Sequence, residues 1–462
     1  MRAEEYLTTL TEQIRCKRAR SGVMREIRQH MEDQQSCFED EGMDTAAAEA
    51  MTVKEMGSPV EAGIELDRIH RPRMAWGMIG LICLISVAGF MVQYVLQVSY
   101  KNAMFFPYSA SRYILHLGMG FVAMAATCYF DYSQISRQAK VISVVFFILL
   151  IVTVPLFGVS YNGQRAWIGL GGIRLDVRQV LFLYVPLYGA ILYSYRGQGY
   201  GVLAKAAAWA LVPVAIALSC PSVTTAVMLA AAFVVVFSMA VWKGWYSIAR
   251  IKTLILIWSG VLFLPVFSGL YILRFGADYQ ADRLLVITGF SDPMGLEAGY
   301  MLTTTRAVVA GSRLIGSSQI AIDQVLPGSN DHVLTYVISH FGILAAVVLV
   351  AVMGVLLYCM LRASLKQKNQ LGMLMGVGCT AALTVQMGLY ILGNTGVLLV
   401  FNYCPFLNYG GSGMVITYAL LGLLLSICRY ENVISESTLR EDGKSGWRIR
   451  LVVEKDKGEL RT

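Results

Sequence analysis

The sequence predicts an all-α, polytopic membrane protein of about ten transmembrane helices, preceded by a small soluble helical domain. Three observations carry this prediction. Hydrophobic residues make up 56% of the 462-residue chain and charged residues only 15%, too little charge to cover a water-soluble surface. From Met74 onward, long apolar runs alternate with short polar links, and a run of ~20 apolar residues crosses a bilayer. Basic residues fall in alternate links, which is the bias expected of cytoplasmic loops.

Residues 1–70 read as a separate helical unit. Tyr6, Leu7, Leu10 and Ile14 recur at helical spacing, as do Val23, Ile27, Met31 and Phe38 on a second helix. Gly42 is a C-cap, Asp44 opens a third helix over Thr45–Met56, and Gly57-Ser58-Pro59 breaks it before a short fourth. The string REIRQHMEDQQSCFEDEGMDTAAAEAMTVKEMGSPVEAG resembles the small helical prefix domain found ahead of some bacterial permeases. That resemblance implies regulation or partner docking. A solubilising cap explains the same residues equally well.

The predicted spans are 74–98, 112–130, 140–160, 178–195, 204–219, 222–242, 253–273, 333–361, 371–393 and 411–429, within a membrane domain over 74–429. Pro221, in the turn Cys220-Pro221-Ser222, separates the fifth from the sixth. The first run is too long for a cleavable signal and serves as both signal and anchor. Arg71, Arg73, Arg137, Lys140, Arg196, Lys205, Lys243, Arg250, Lys252, Arg362, Lys366 and Lys368 mark the cytoplasmic links. Both termini are then cytoplasmic, including a tail over 430–462. The remaining links face outward, among them the long one at about 274–332, although Arg165, Arg174 and Arg178 also lie on that side.

Several function classes are excluded. The net charge of +8 is explained by cytoplasmic loops without nucleic acid as a partner. Nine scattered cysteines contain no CxxC pair, and five histidines show no ligand spacing, so no disulfide framework or zinc site is predicted. The spans hold almost no ionisable residues at their centres, which argues against an ion-driven carrier.

Chemistry-bearing residues gather in the outward links. YNGQRAWIGLGGIRLDVRQ (161–179) contains Arg165, suited to bidentate phosphate contact, and Trp167, suited to a membrane interface. A headgroup contact and a lipid anchor are the plainer readings of these two. The second span opens with Arg112 and ends at Asp131-Tyr132. The long link contains DRLLVITGFSDPMGLEAGYMLTTTRAVVAGSRLIGSS (282–318) and ends in LPGSNDHVLTYVISHFG (326–342). CPFLNYGGSG (404–413) precedes the last span, and its paired glycines suit close helix packing. On the residues alone, Asp331 before a span is a good helix N-cap.

Taken in order, these segments resemble the FtsW/RodA/SpoVE family of peptidoglycan glycan-strand polymerases. The match includes Asn162, Gly163, Arg165, Trp167, Ile168, Leu170 and Gly171, then Asp292, Pro293, Gly299, Tyr300, Gly311, Ser312 and Gly316. It continues through Asp331–Gly342 to Pro405, Phe406, Tyr409, Gly410, Gly411 and Ser412. The resemblance implies a bacterial plasma-membrane glycosyltransferase with Asp331 as catalytic base. It implies substrate contacts from Arg112, Arg165, Trp167, Tyr300, Ser312, Tyr409, Gly410, Gly411 and Ser412. The implied substrate is lipid II, bound among membrane lipids, and the implied partner is a class B penicillin-binding transpeptidase. Positive charge for the leaving pyrophosphate would come from arginines or from a divalent cation, Mg or Mn.

Ala166 replaces the second of two family arginines, one residue is missing before Asp331, and three further charged positions are lost together. Gln179 replaces a glutamate, Phe182 a lysine and Ser222 an aspartate. Charges lost as a set are what a dismantled ion-pair network leaves. Asp176 and Arg178 are the local pair available to substitute. A non-catalytic scaffold for wall-synthesis enzymes, or a lipid II flippase, are the alternatives to a polymerase. Scarce charge within the spans weighs against the flippase.

Overall fold

The computed structural model describes residues 2–100, 110–161, 164–170, 173–275, 281, 284–286, 288, 297–320, 322, 330–400 and 402–434. The chain divides into two compact units, Met1–Arg71 with the segment from Val433 onward, and Pro72–Asn432.

The first unit contains α1 (Ala3–Glu12), α2 (Lys17–Asp40), α3 (Thr45–Glu55) and α4 (Pro59–Ile69). Tyr6, Leu7, Leu10 and Ile14 are buried, as are Val23 and Met31. Ile27 and Phe38 share the α2 stripe but are only half-buried. The 24-residue α2 outruns its shorter neighbours, so they cannot cover all of it. Gly42 takes φ +92°, and the Met43 N–H reaches the Phe38 carbonyl at 3.1 Å, closing α2. Ser58 accepts from the Glu61 N–H at 3.5 Å, with Pro59 in the first turn of α4.

The second unit contains α5 (Trp76–Ser99), α6 (Ala110–Tyr129), α7 (Tyr132–Arg137), α8 (Ala139–Phe157), α9 (Val177–Ser194), α10 (Gly201–Ser219), α11 (Val223–Trp242), α12 (Arg250–Phe275) and α13 (Glu297–Ala310). They are followed by α14 (Val333–Phe341), α15 (Ile343–Leu365), α16 (Gln370–Asn394) and α17 (Gly411–Arg429). Eight helices (α5, α8 to α11, α15 to α17) are long and apolar enough to cross a membrane. Helices α6 and α12, of 20 and 26 residues, also have spanning length. These ten fall on the ten predicted runs. The chain is therefore a multi-pass membrane protein. Helices α9, α16 and α17 are the most enclosed, while α8, α10 and α15 turn most of their apolar surface outward, where lipid replaces a protein core.

Two features were not foreseen. The link after α8 forms a three-stranded antiparallel sheet, β1 (Gly158–Tyr161), β2 (Gln164–Leu170) and β3 (Ile173–Asp176), in the order β1-β2-β3. Ala166 and Ile168 are buried on either side of Trp167, the period-two pattern of a half-covered strand. Among the described residues, an otherwise helical chain thus carries one small sheet.

The predicted eighth span, 333–361, is not one helix. It breaks at Gly342, which takes φ +97°. A Cβ at this position would lie 2.7 Å from the Leu314 carbonyl oxygen. The 313–318 segment fills the break. Ile343 and Leu344 N–H groups donate to the Arg313 and Leu314 carbonyls at 3.0 Å, and Ser318 N–H donates to the Ser339 carbonyl at 2.7 Å. Backbone groups released by the break are thus satisfied by protein. The spanning helix begins at Ile343, and Val333–Phe341 is a separate buried helix.

Candidate active site

Asp331 lies in a 3-10 turn, Asn330–His332, that leads into α14. Its backbone is held from α16. Asn394 Nδ2 donates to the Asp331 carbonyl at 2.9 Å, and Asn394 Oδ1 accepts from the Thr335 N–H at 3.1 Å. Thr335 Oγ1 donates to the Asn394 carbonyl at 2.9 Å, and the buried Tyr390 phenol accepts from the Leu334 N–H at 3.4 Å.

The Asp331 carboxylate is exposed, and no described residue hydrogen-bonds it. The N-cap position of α14 belongs to His332, which makes no side-chain cap bond. The capping explanation of Asp331 therefore fails, and its carboxylate is available to a ligand. Although it keeps open surface, protein crowds it on the remaining sides. The resulting loss of bulk water raises its pKa, and the Arg178 guanidinium opposes that rise. Burial pushes the neighbouring His332 down to about 4, so it is neutral near pH 7.

Arg178 is positioned by the sheet and the start of α9. Its Nε and Nη2 donate to the two Asp176 carboxylate oxygens at 3.0 and 2.8 Å. Its guanidinium lies 4.7 Å from the centre of a Trp167 ring. Trp167 and Asp176 are themselves opposed in the β2–β3 ladder. The Asp176 N–H donates to Ser412 Oγ at 3.3 Å. Trp167, Asp176, Arg178 and Ser412 thus form one assembly whose cation acts electrostatically on Asp331.

A second group adjoins it through the Tyr409–Ser412 segment. The Tyr409 ring lies 5.1 Å from the His116 ring, and the exposed Arg112 acts electrostatically on both. A Cβ on Gly411 would lie 3.0 Å from the His116 ring, so glycine permits this approach. Gly410 makes no such demand: its φ of 173° is open to any residue.

The structure does not gather every predicted residue here. Ser312 Oγ donates to the Val308 carbonyl at 2.6 Å, beside the Gly342 break. It lies at the far end of α14 from Asp331, roughly 13 Å along the helix axis. Tyr300 is 47% exposed on α13. Arg165 belongs to β2 by its backbone, but its side chain lies outside the described residues, as do Asn162, Gly163, Gly171, Asp292 and Pro293.

The residues at the three lost charged positions are neutral and packed. Gln179 and Ser222 are buried, Phe182 is wholly buried, and Ser222 shares a 2.8 Å hydrogen bond with Thr225. The predicted Asp176–Arg178 substitute pair is present. Sequence reading missed Asn394, Tyr390 and Thr335 as supports of Asp331. The available signal was an amide at the end of the apolar run 371–393, where a buried polar group needs partners.

The fold and site define a polytopic helical membrane protein with an open carboxylate under the electrostatic influence of a held guanidinium. Residues 73–433 match the FtsW/RodA/SpoVE family of cell cycle proteins, and the chain belongs to that family. It is 24% identical over 364 residues to stage V sporulation protein E of Bacillus subtilis, covering 76% of this chain and 93% of that protein. It is 23% identical over 306 residues to peptidoglycan glycosyltransferase MrdB of Escherichia coli K12, covering 63% and 78%. A solved peptidoglycan synthase complex, described for its coordination of polymerization and crosslinking, contains a chain that superposes with TM-score 0.63 at 22% identity, covering 77% of this chain and 98% of that one. The rod shape determining protein RodA of Thermus thermophilus superposes with TM-score 0.54 at 19% identity, covering 78% and 97%.

Proposed function

We propose that this protein is a peptidoglycan glycosyltransferase that polymerises lipid II at the outer face of a bacterial plasma membrane. The observation that carries the proposal is the exposed Asp331 carboxylate, with its backbone held by Asn394 and its charge opposed by that of Arg178. A carboxyl whose pKa moves toward working pH is a fit general base. Asp331 takes the proton from the attacking sugar hydroxyl. The hydroxyl oxygen bonds to the anomeric carbon of the donor, the bond from that carbon to the lipid pyrophosphate breaks, and the configuration inverts. Arg178 and Arg112, with Arg165 of β2, supply positive charge to the departing pyrophosphate.

A Mg or Mn ion would be held mainly by the pyrophosphate of the substrate and only in part by the protein. Among the described residues no three acidic, imidazole or thiol groups converge, and Asp176 is already committed to Arg178. The partner proposed is a class B penicillin-binding transpeptidase, in line with the synthase complex that supplies a fold neighbour. The proposed topology has both termini in the cytoplasm.

The test is the full chain, with its transpeptidase partner, given labelled lipid II. Polymer that disappears in Asp331→Ala is expected. A second reading, a scaffold without activity, is favoured by the neutral packing at Gln179, Phe182 and Ser222. Polymer-free but well-folded wild-type preparations would establish it.

A further inference from the structure

Helices α8, α9 and α10 meet at the face opposite Asp331, around Tyr195, the residue that ends α9. Lys140, in the first turn of α8, places Nζ 4.3 Å from the centre of the Tyr195 ring. Lys205 of α10 places Nζ 5.3 Å from the same ring and donates to Gln198 Oε1 at 2.7 Å. Trp209 Nε1, one turn along α10, donates to the Tyr195 hydroxyl at 3.0 Å and fixes the ring. Arg196 stacks 4.0 Å from the Tyr193 ring alongside.

Two ammonium groups therefore converge on one aromatic ring from different helices. Like charges brought together repel unless an anion lies between them. Neither lysine has a carboxylate partner among the described residues. The first turns of α8 and α10 hold no acid, and Asp131 in the neighbouring link accepts the Ser133 N–H at the start of α7. The surface beside the two ammonium groups is apolar. Val144 and Ile148, one and two turns from Lys140, are exposed, as is Val212, two turns from Lys205. A head carrying negative charge above an acyl chain matches both halves of this surface.

We propose that Lys140, Tyr195, Lys205 and Arg196 form a binding site for the phosphate headgroup of an anionic phospholipid, with its acyl chain lying along α8 and α10. The ammonium pair supplies charge, and the exposed valine and isoleucine track selects a lipid over a soluble phosphate. This site is independent of the polymerase reading.

The test uses purified full-length protein in neutral detergent, titrated with phosphatidylglycerol, phosphatidylcholine and inorganic phosphate, with bound lipid counted by native mass spectrometry. Phosphatidylglycerol is expected to bind at least tenfold more tightly than phosphatidylcholine. Lys140→Gln with Lys205→Gln should weaken phosphatidylglycerol by on the order of thirtyfold, each single change by about fivefold, and Lys140→Arg with Lys205→Arg should keep it. The single variants decide the matter if the double variant does not fold. Equal affinity of wild type and the glutamine variants, or equal affinity for the two lipids, overturns the proposal. Displacement of phosphatidylglycerol by equimolar inorganic phosphate would assign the site to free phosphate and overturn the lipid.

Discussion

At the scale of single residues, the site turns on how one carboxyl is held. Burial raises the pKa of Asp331 above its ordinary 3.8, so its ionised form is disfavoured in the folded protein. The stability this group contributes is present at low pH and is lost as pH rises through the raised value. Asp331→Asn is neutral at every pH. It should lower polymerisation by roughly 10²–10⁴-fold while its melting temperature at pH 7 equals or exceeds that of wild type. Scanning calorimetry beside the polymer assay checks both. Arg178→Ala should move the acid limb of the pH–rate profile upward, because the opposing cation is gone. His332 titrates in the other direction. Its neutral form is favoured, so the protein should lose stability as pH falls from 6.5 toward about 4, and His332→Gln should remove that slope. The sequence disclosed Asp331 through the register of LPGSNDHVLTYVISHFG and disclosed the Asp176–Arg178 pair through spacing. It did not disclose that the guanidinium acts on Asp331, because residues 178 and 331 come within electrostatic range only once helices from distant parts of the chain pack together.

At the scale of elements, α14 shows why apolar patterning has limits. Residues 333–361 read as one run because hydrophobicity reports solvation, and a break inside protein changes no solvation. Only the backbone at Gly342 records it. Gly342→Ala would place a Cβ 2.7 Å from the Leu314 carbonyl oxygen at a φ of +97°. It should cost on the order of 1–3 kcal/mol, read as a lower melting temperature. Asn394 acts at the other end of the same helix. Asn394→Ala would leave the Asp331 carbonyl and the Thr335 N–H without this partner. A loss of about 1–3 kcal/mol is expected, together with a fall in kcat that Asn394→Asp would only partly restore, because Asp lacks the amide donor. The sheet over 158–176 escaped detection for a different reason. Its two outer strands have only four residues each, and Gly158 and Gly169 interrupt the alternation.

At the scale of the molecule, the order of spans was legible because each helix had to be apolar for its whole length. The alternation of links follows from that order. It places Arg112, the sheet, Asp331 and the Tyr409–Ser412 segment on one face, and Lys140, Arg196, Lys205 and Lys366 on the other. The proposed topology turns the second group to the cytoplasm, since Lys and Arg near span ends are retained inside. The exposed Cys37 in α2 and the exposed Tyr300 on α13 make this measurable. A membrane-impermeant maleimide should label Cys37 only in inverted vesicles, with Cys37→Ser as the blank. In a Cys37→Ser background, Tyr300→Cys should be labelled in intact cells. Labelling of Cys37 from outside would reverse the topology. Asp331 would then face the cytoplasm, away from where glycan strands grow, and the polymerase assignment would fail with it.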